Sequence, residues 1–274
     1  IHTEANVFQL TSAETLRIVQ VTDTHLFGDV GGKLLGVPTY DSMHAVLSQL
    51  DAFPFQADAM LVTGDLSQDG SEQSYRLLDD AMARFSAPVF WLPGNHDELR
   101  NLEKVGRERD HLHKVIRSEH WQIVMLDSQV EGAVFGQLKQ EELDMLERAL
   151  TERDDLHTLV CLHHHPIPMN SEWMDNIGLR NRQALMDILS THDNAKGVLW
   201  GHVHQSCDGY VNGVRLMSTP STCIQFEPQT SGFSLDEAAP GFRWLELHKD
   251  GRISTGVERL SHVSFAVDRT QTGY

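Results

Sequence analysis

Five short runs of apolar and β-branched residues recur along the chain, and each has the length and hydrophobicity of a strand buried on both faces. They lie at residues 17–22, 59–63, 89–93, 158–162 and 197–200. Between them, apolar residues recur at helical spacing over residues 40–50, 71–85 and 138–150. Strands that alternate with helices predict an α/β protein whose mostly parallel sheet has helices on both faces.

The sequence changes in character after Trp200. Two further apolar segments, at 211–216 and 242–260, contain Asn212-Gly213 and Asp250-Gly251, which are dipeptides typical of hairpin turns. We therefore expect the chain to close with a second, antiparallel-rich sheet. No internal repeat, low-complexity tract or long Pro/Gly/Ser linker divides the sequence, so we predict one domain over residues 1–274.

Polar residues that suit metal binding follow each of the five runs directly. In open α/β sheets the carboxyl ends of the strands form the edge where ligands bind, so these residues should converge on one crevice. A glycine before Asp65, Asn95 and His202 permits a sharp turn at each of these strand ends. The residues are Asp23 and His25, then Asp65, then Asn95, His96 and Asp97, then His163, His164 and His165, and finally His202 and His204.

This donor set is larger than one tetrahedral metal site needs. Carboxylate, amide and imidazole donors without cysteine suit divalent or trivalent ions of the Mn, Fe or Zn kind. The number of donors indicates two ions, and we expect Asp65 to bridge them. Two ions held ~3.5 to 4 Å apart form the clamp that proteins use for phosphoester displacement.

Charge restricts the partners of this protein. The chain has 22 Lys and Arg against 39 Asp and Glu, a formal net charge of −17 with neutral His. A surface of this charge would repel a polyanion, so we predict no nucleic-acid partner. A small anionic substrate remains compatible where a metal receives it, and the 16 histidines support such a site.

The cysteine content and the hydropathy of the chain predict the cellular compartment of the protein. The three cysteines have no CxxC spacing, which argues against a disulfide framework and favours a reducing compartment. No apolar run approaches the ~18 to 20 residues that span a bilayer. The visible N-terminus has no apolar signal core. We therefore expect no membrane association and a cytoplasmic location.

The motifs D-x-H, G-D, G-N-H-D, a strand followed by His, and G-H-x-H, in this order, resemble the calcineurin-like metallophosphoesterase superfamily. Further segments look like the bacterial cyclic AMP phosphodiesterase group (CpdA/Icc type, class III cyclic nucleotide phosphodiesterases). The resemblance covers residues from about 15 to 260 and implies a four-layer α/β/β/α sandwich of two mixed sheets. The segments are TDTHLF, TGDLSQD, WLPGNHDE, LDSQV, LHHHPIP, LRN, WGHVHQ and STPSTCIQF.

The same resemblance implies two metal sites that share Asp65. Fe and Mn are the expected ions, with Zn as a further candidate. Among the three consecutive histidines, the family's ligand follows the strand directly, and the downstream Pro166 and Pro168 favour His163 over His164 and His165. One site comprises Asp23, His25, Asp65 and His204, and the other comprises Asp65, Asn95, His163 and His202.

The residue after the ligand Asn95 faces the substrate in this family without binding metal. His96 is therefore expected to contact the phosphoryl group and donate a proton to the leaving oxygen, so His96 and Asp65 are the implied catalytic residues. Asp97 either orients the His96 imidazole or caps a helix at 98–105, and both readings stay open. The implied substrate contacts are His25, Asp65, Asn95, His96, His163 and His204.

The activity implied by the resemblance is hydrolysis of 3′,5′-cyclic AMP to 5′-AMP, which degrades a second messenger. The alternative is another small diester at the same site, such as a 2′,3′-cyclic nucleotide or a glycerophosphodiester, because a fold does not fix a substrate. A metal-bound scaffold without catalysis is a third hypothesis, disfavoured because no expected ligand is missing. Two further residues have two interpretations each. Arg180 is expected to contact the phosphate or base of the substrate, or to be a surface charge. Trp173 is expected to form part of a lid over the base, or part of the core. The sequence assigns neither an oligomeric state nor a preference between cyclic AMP and cyclic GMP.

Overall fold

A computed structural model describes residues 7–11, 14–271 and 273, and the outermost residues of the predicted domain lie outside this description. Fourteen strands and six helices are assigned in the described part of the chain. The helices are α1 (Thr39–Ala52), α2 (Glu72–Met82), α3 (Leu99–Glu108), α4 (Gln140–Glu152), α5 (Glu172–Asp175) and α6 (Arg182–Ser190). The strands are β1 (Val7–Gln9), β2 (Thr15–Val21), β3 (Lys33–Leu34), β4 (Val37–Pro38), β5 (Ala59–Thr63), β6 (Val89–Leu92), β7 (Val115–Arg117), β8 (Trp121–Met125), β9 (His157–Leu162), β10 (Ala195–Trp200), β11 (Cys207–Val211), β12 (Val214–Ser218), β13 (Gly241–His248) and β14 (Ile253–Arg259).

The strands form two mixed sheets and one short hairpin. The five-stranded sheet has the order β14-β13-β2-β5-β6, in which β2, β5 and β6 run parallel and β13 is antiparallel to both neighbours. The seven-stranded sheet has the order β1-β7-β8-β9-β10-β12-β11, with a parallel centre from β8 to β12. The hairpin pairs β3 with β4.

Three apolar clusters define four layers. The inner faces of the two sheets pack together through residues such as Ile18, Leu61, Ile123 and Leu199. Helices α1, α2 and α3 cover the outer face of the five-stranded sheet, and α4 and α6 cover that of the seven-stranded sheet. The α/β fold and the four-layer α/β/β/α sandwich of two mixed sheets are therefore confirmed.

The expectation of one mostly parallel sheet with helices on both faces was wrong. The five predicted strands are present, but β2, β5 and β6 lie in one sheet whereas β9 and β10 lie in the other. Each strand is buried on both sides because one face contacts helices and the other contacts the second sheet, and this leaves the same hydrophobic pattern as a single covered sheet. The predicted C-terminal hairpins are also present, but β11 and β12 extend one sheet while β13 and β14 extend the other.

Local signals explain the helices that flank the site. Ser71 precedes α2 and its hydroxyl accepts a hydrogen bond from the Ser74 amide, as expected of an N-cap. Helix α1 buries the predicted face of Met43, Val46, Leu47 and Leu50.

Within the described residues, no helix combines the length and the apolar character that crossing a bilayer requires.

Candidate metal centre

The side chains predicted to bind metal lie together at the carboxyl ends of five strands drawn from both sheets. Asp23 and His25 follow β2, Asp65 follows β5, Asn95 follows β6, His163 follows β9, and His202 and His204 follow β10. All are fully buried except Asn95, which is half-buried. Three groups have possible ligand atoms within 4.8 Å of one another, namely Asp23, His25 and His204, then Asp65, His163 and His202, and finally His25, Asp65 and the half-buried His96.

The backbone of these loops is held in an uncommon conformation. Left-handed φ angles between 44° and 65° occur at five of the seven predicted ligands, which are Asp23, His25, Asp65, His202 and His204. Each such angle costs about 1 kcal/mol or more in a residue with a side chain, and such strain clusters at functional sites. The turns aim the side chains back over the ends of the strands, where the two sheets meet.

Two of the glycines at these turns are needed for different reasons. Gly64 has a φ of 94°, which confirms that the turn before Asp65 requires glycine. Gly94 has no positive φ, but a Cβ atom there would collide with the backbone and carboxylate of Asp65. The prediction that glycine permits a sharp turn is therefore confirmed at Gly64 by its backbone dihedral angle. Gly94 is required for a different reason, which is the close packing of Asp65.

Each buried histidine of the centre is oriented by a hydrogen bond from the ring nitrogen that faces outward. The Nδ1 atoms of His163 and His204 lie 2.9 Å from the carbonyl oxygens of Thr63 and Ile224, and Nε2 of His202 lies 3.1 Å from that of Ile177. A carbonyl only accepts, so these nitrogens carry the proton. When such a ring is neutral, its opposite nitrogen presents a lone pair to the centre, as in metal-binding histidines.

The inward-facing nitrogens of His25 and His204 are only 3.2 Å apart. His25 Nδ1 is 2.7 Å from Oε1 of Gln68, which gives His25 the same outward-facing proton as His204. His204 Nε2 also lies 3.2 Å from Oδ1 of Asp23. Two lone pairs and a carboxylate oxygen thus face one another, an arrangement that a cation would stabilise.

A second set of atoms in the centre is buried without a hydrogen-bond partner in the described part of the chain. Asp65 Oδ2 and His163 Nε2 are 3.2 Å apart but are not aligned for a hydrogen bond. A buried polar atom without a partner costs about 1–3 kcal/mol, so four of them together need an explanation. The four atoms are Asp65 Oδ2, Asn95 Oδ1, His163 Nε2 and His202 Nδ1.

The charges of the centre are strongly coupled. Burial lowers the pKa of His25 to about 3, which keeps its ring neutral. Burial also opposes protonation of His163, but the carboxylates of Asp65 and Asp23 outweigh burial and raise the pKa of His163 to about 9. Burial would raise the pKa of Asp65, yet His163 and His96 hold it well below its ordinary value. At neutral pH the two carboxylates therefore keep a proton on His163, and a bound cation would displace that proton because a histidine must be neutral to bind a metal.

His96 lies at the border between this centre and an open cleft. Its backbone amide donates to Oδ1 of Asp65 over 2.8 Å, and its ring stands edge-on to that of His25 with centroids 5.0 Å apart. The half-buried His96 lines a cleft of about 780 Å³ together with Gln68, Arg100 and Gln129. An imidazole in this position can reach a molecule held between the centre and the cleft.

The helix-capping role considered for Asp97 is wrong, and its role in orienting the His96 imidazole stays a prediction. The cap of α3 is Glu98, whose carboxylate accepts from the Arg100 amide. The Asp97 carboxylate accepts hydrogen bonds from backbone amides and from a tyrosine hydroxyl, so it fastens the loop after β6 to the loop after β5. Its donors are the amides of Leu66, Ser67 and Gly94 and the hydroxyl of Tyr75.

The three consecutive histidines have different surroundings. His164 contacts Ser128 through Nδ1 and the Val134 carbonyl through Nε2, and the ring of His165 stacks on that of His202. Of the three consecutive histidines, only His163 belongs to the clusters of possible ligands among the described residues.

Arg180 and Trp173, which had two interpretations each in the sequence, both contact aromatic side chains. Arg180 is exposed and lies over the ring of Phe135, 4.4 Å from its centroid. Trp173 packs edge-on against Phe226 and Phe233, as core residues do. Phe226 in turn stacks on His204 with ring centroids 4.3 Å apart, so this aromatic cluster supports a predicted ligand.

Comparison with known families agrees with this geometry. The model of the calcineurin-like phosphoesterases matches residues 16–206, which extend from β2 to the loop after β10. The chain belongs to the calcineurin-like phosphoesterase family. Membership in this family and the two buried clusters of Asp and His together indicate a dinuclear metal site.

Curated relatives narrow the family further. A protein of Pseudomonas aeruginosa named 3′,5′-cyclic adenosine monophosphate phosphodiesterase CpdA is 44% identical over 264 residues, which cover 96% of this chain and 97% of the relative. The protein of the same name from Escherichia coli strain K12 is 43% identical over 267 residues and 97% of both chains. This calcineurin-like phosphoesterase therefore also belongs to the CpdA family.

A solved structure with low sequence identity shares the fold. The dimetal phosphatase of Danio rerio has a TM-score of 0.58 at 16% identity, and the alignment covers 90% of this chain and 99% of that protein. At this identity the similarity shows the fold of this calcineurin-like phosphoesterase and nothing beyond it.

Sequence reasoning missed the groups that orient the ligands. The carbonyls of Thr63, Ile177 and Ile224 carry no sequence signal, because every residue has a carbonyl. Gln68 and Gln129 lie in the TGDLSQD and LDSQV segments, so the motifs contained a signal for these two that ligand spacing did not use.

Removing metal should destabilise this protein. A ligand present at 1,000 times its dissociation constant stabilises the folded state by about 4 kcal/mol, which for a chain of this size corresponds to roughly 10 °C in Tm. We expect chelation to lower the Tm by that amount, measured by circular dichroism before and after dialysis against EDTA. Re-addition of Mn should restore the Tm. Identical melting curves with and without chelator would contradict a bound metal in this centre.

Proposed function

We propose that this protein hydrolyses 3′,5′-cyclic AMP to 5′-AMP at a dinuclear metal centre. The observation that supports the centre most strongly is the set of four buried atoms that have no hydrogen-bond partner among the described residues, because it coincides with the ligand set expected for one metal. The substrate is supported by the relatives named cyclic AMP phosphodiesterase, which match this chain over nearly its whole length. Degradation of an intracellular second messenger is consistent with a cytoplasmic location.

In this proposal two metal ions share Asp65. Iron and manganese suit the mixture of carboxylate, amide and imidazole donors, and zinc suits the imidazoles. The order of affinities among divalent metals does not distinguish these ions. We propose Fe, Mn or both as the resident ions because they suit the mixture of donors. The first ion would be held by Asp23, His25, Asp65 and His204, and the second by Asp65, Asn95, His163 and His202.

The metal ions would supply Lewis acidity, which lowers the pKa of water and offsets the negative charge of the phosphodiester. This offset matters because the formal net charge of −17 would otherwise repel an anionic substrate. The other requirements of the reaction fall to the protein. They are orientation of the phosphate, transfer of a proton and a place for the nucleoside.

His96 is the proton donor in the proposed reaction. Oxygen from water forms a bond to phosphorus, the bond from phosphorus to O3′ breaks, and the proton of the His96 imidazolium moves to O3′. The proton given up by the attacking water restores the protonated ring. One water is consumed and the product is 5′-AMP. The position of His96 between the centre and the cleft suits this transfer.

The nucleoside is proposed to occupy the cleft beside His96. Its volume of about 780 Å³ accommodates a small nucleotide with water. Side chains with amides and hydroxyls line part of it, including Gln68, Ser71 and Asn101. Such groups can form hydrogen bonds with ribose and base, whereas the phosphate would be received by the metal ions that the buried carboxylates and imidazoles would hold.

A phosphorus NMR time course tests the substrate. The protein is loaded in turn with Mn, Fe and Zn and mixed with 3′,5′-cyclic AMP, 3′,5′-cyclic GMP, 2′,3′-cyclic AMP, glycerophosphocholine and bis(p-nitrophenyl) phosphate. We expect the fastest conversion for 3′,5′-cyclic AMP, with 5′-AMP as the product. Faster turnover of 2′,3′-cyclic AMP or glycerophosphocholine would show that the same centre serves a different diester. If none of these diesters is hydrolysed, the result would contradict the proposal that the protein is a phosphodiesterase.

A further inference from the structure

The segment 126–130, which follows β8, connects two of the loops that form the metal centre. Ser128 contacts His164, the residue directly after the predicted ligand His163, over 2.8 Å between Oγ and Nδ1. Gln129 lies on the other side and donates from one amide nitrogen to two carbonyls, Gly94 at 2.8 Å and Asp97 at 2.6 Å. Those two carbonyls stand immediately before Asn95 and immediately after His96.

The orientation of the Gln129 amide is fixed by these contacts. Both partners are backbone carbonyls, which only accept hydrogen bonds, so the atom between them must be the NH₂ group. Gln129 is only 8% exposed, so its hydrogen bonds are protected from water. A single side chain therefore fastens both ends of the four-residue loop that carries Asn95 and His96.

Gln129 is itself held on a rigid support. Its backbone amide donates to Asp127 Oδ1 over 2.8 Å, and the Asp127 amide donates to Glu142 on α4 over 2.8 Å. The Leu126 amide continues the sheet by donating to the Cys161 carbonyl. The position of Gln129 is therefore set by β8, β9 and α4, which belong to the seven-stranded sheet and its helix layer.

The His96 loop belongs to the other sheet. It follows β6 and is tied to the β5 loop by the Asp97 carboxylate and by the bond from the His96 amide to Asp65. Gln129 adds a connection across to the seven-stranded sheet, on the cleft side where the substrate would lie. Without this connection the loop would keep its contact with Asp65 but lose the restraint on its outer side.

We propose that Gln129 is a positioning residue that holds the His96 imidazole at the distance and angle needed to donate a proton to the leaving oxygen. The inference rests on the proposed function, because it concerns the departure of O3′ from cyclic AMP. Gln129 acts through the loop and not on the substrate. Misplacement of a catalytic group by about 1 Å can cost a factor on the order of 100 in rate.

The test compares two substrates that differ in leaving group. Gln129→Met keeps the length and shape of the side chain but removes both hydrogen bonds, and Gln129→Asn is polar but too short to reach both carbonyls. On 3′,5′-cyclic AMP, kcat should fall about 10- to 100-fold in Gln129→Met. On bis(p-nitrophenyl) phosphate, whose p-nitrophenolate departs without protonation, kcat should change less than about threefold. Metal content should equal that of the wild type.

A matched substitution controls for loss of buried hydrogen bonds in general. Gln122 on β8 is also fully buried and donates from its amide nitrogen to the Ala149 carbonyl and the Thr158 hydroxyl. Gln122→Met should lower the Tm like Gln129→Met but leave the ratio of the two substrate rates unchanged.

Three outcomes would overturn the inference. The first is an equal loss on both substrates together with loss of metal, which would assign Gln129 to the metal centre. The second is an unchanged rate on cyclic AMP in both Gln129→Met and Gln129→Asn, so that the result does not depend on one variant folding. The third is a wild-type protein that does not hydrolyse cyclic AMP at all, which would refute the proposed function first.

Discussion

Replacing Asp65 by alanine should reduce kcat on cyclic AMP at least about 10³-fold and remove at least one metal ion per chain. Asp65 is the one ligand shared by both proposed sites, and its buried Oδ2 atom has no hydrogen-bond partner in the described part of the chain. Lewis-acid stabilisation of the transition state is worth several kcal/mol, and each 1.36 kcal/mol is about a factor of ten in rate. The substitution also removes the acceptor for the His96 amide, so the loop that carries the proton donor loses a contact.

The measurement combines metal analysis by mass spectrometry with steady-state kinetics on the purified protein. Asp80→Ala is a suitable control, because Asp80 is exposed on α2 and remote from the predicted ligands in sequence and layer. The control should retain two metal ions and the wild-type rate. An Asp65→Ala protein that is folded, fully loaded and active would refute the bridging role.

Replacing His96 by alanine should give the second-largest effect, with a different signature. General acid catalysis by a positioned side chain contributes about 10²- to 10⁴-fold, so kcat on cyclic AMP should fall within that range. Both metal ions should remain, because the two ligand sets do not require His96. Hydrolysis of bis(p-nitrophenyl) phosphate should suffer much less, since its leaving group needs no proton.

The decisive comparison is between metal content and rate. His96 lies within 4.8 Å of possible ligand atoms of His25 and Asp65, so a role as a ligand is a concrete competing hypothesis. Loss of one metal ion per chain in a folded His96→Ala protein would favour that hypothesis. Loss of rate with two ions retained would support the proton donor.

The candidate centre could be predicted from the sequence because its residues follow strands directly. Asp23, Asp65, Asn95, His163 and His202 stand within three residues of a strand end, and strand ends are where a hydrophobic run stops abruptly. The family resemblance, anchored on the downstream prolines, also favoured His163 over His164, whose ring the structure places against Ser128 and Val134. Sequence proximity to a buried strand was thus sufficient to find the candidate side chains, whereas the choice of ligands among them came from the family resemblance.

The division of the strands between two sheets could not be derived from the hydrophobic pattern. A strand such as β9 is buried whether its second face meets a helix or another sheet, so Leu159 and Val160 look equivalent in the sequence. In the structure Leu159 packs between the sheets and Val160 packs under the helices. Family resemblance supplied the four-layer arrangement that periodicity left undetermined.

The role of Asp97 was missed for a related reason. A carboxylate before a helix is a typical cap, but Glu98 takes that position and frees Asp97 to bind the amides of a distant loop. The partners Leu66 and Ser67 are about thirty residues away in sequence, and backbone amides leave no trace in composition. Contacts of this kind follow from the approach of two strand ends, which only the three-dimensional structure shows.

Anomalous diffraction from a crystal of the Mn-loaded protein tests the central claim most directly. The account predicts two peaks of anomalous density about 3.5–4 Å apart, with the Asp65 carboxylate in contact with both. One peak should also contact Asp23, His25 and His204, and the other Asn95, His163 and His202. A single peak, or two peaks that do not share Asp65, would contradict the dinuclear centre proposed for this protein.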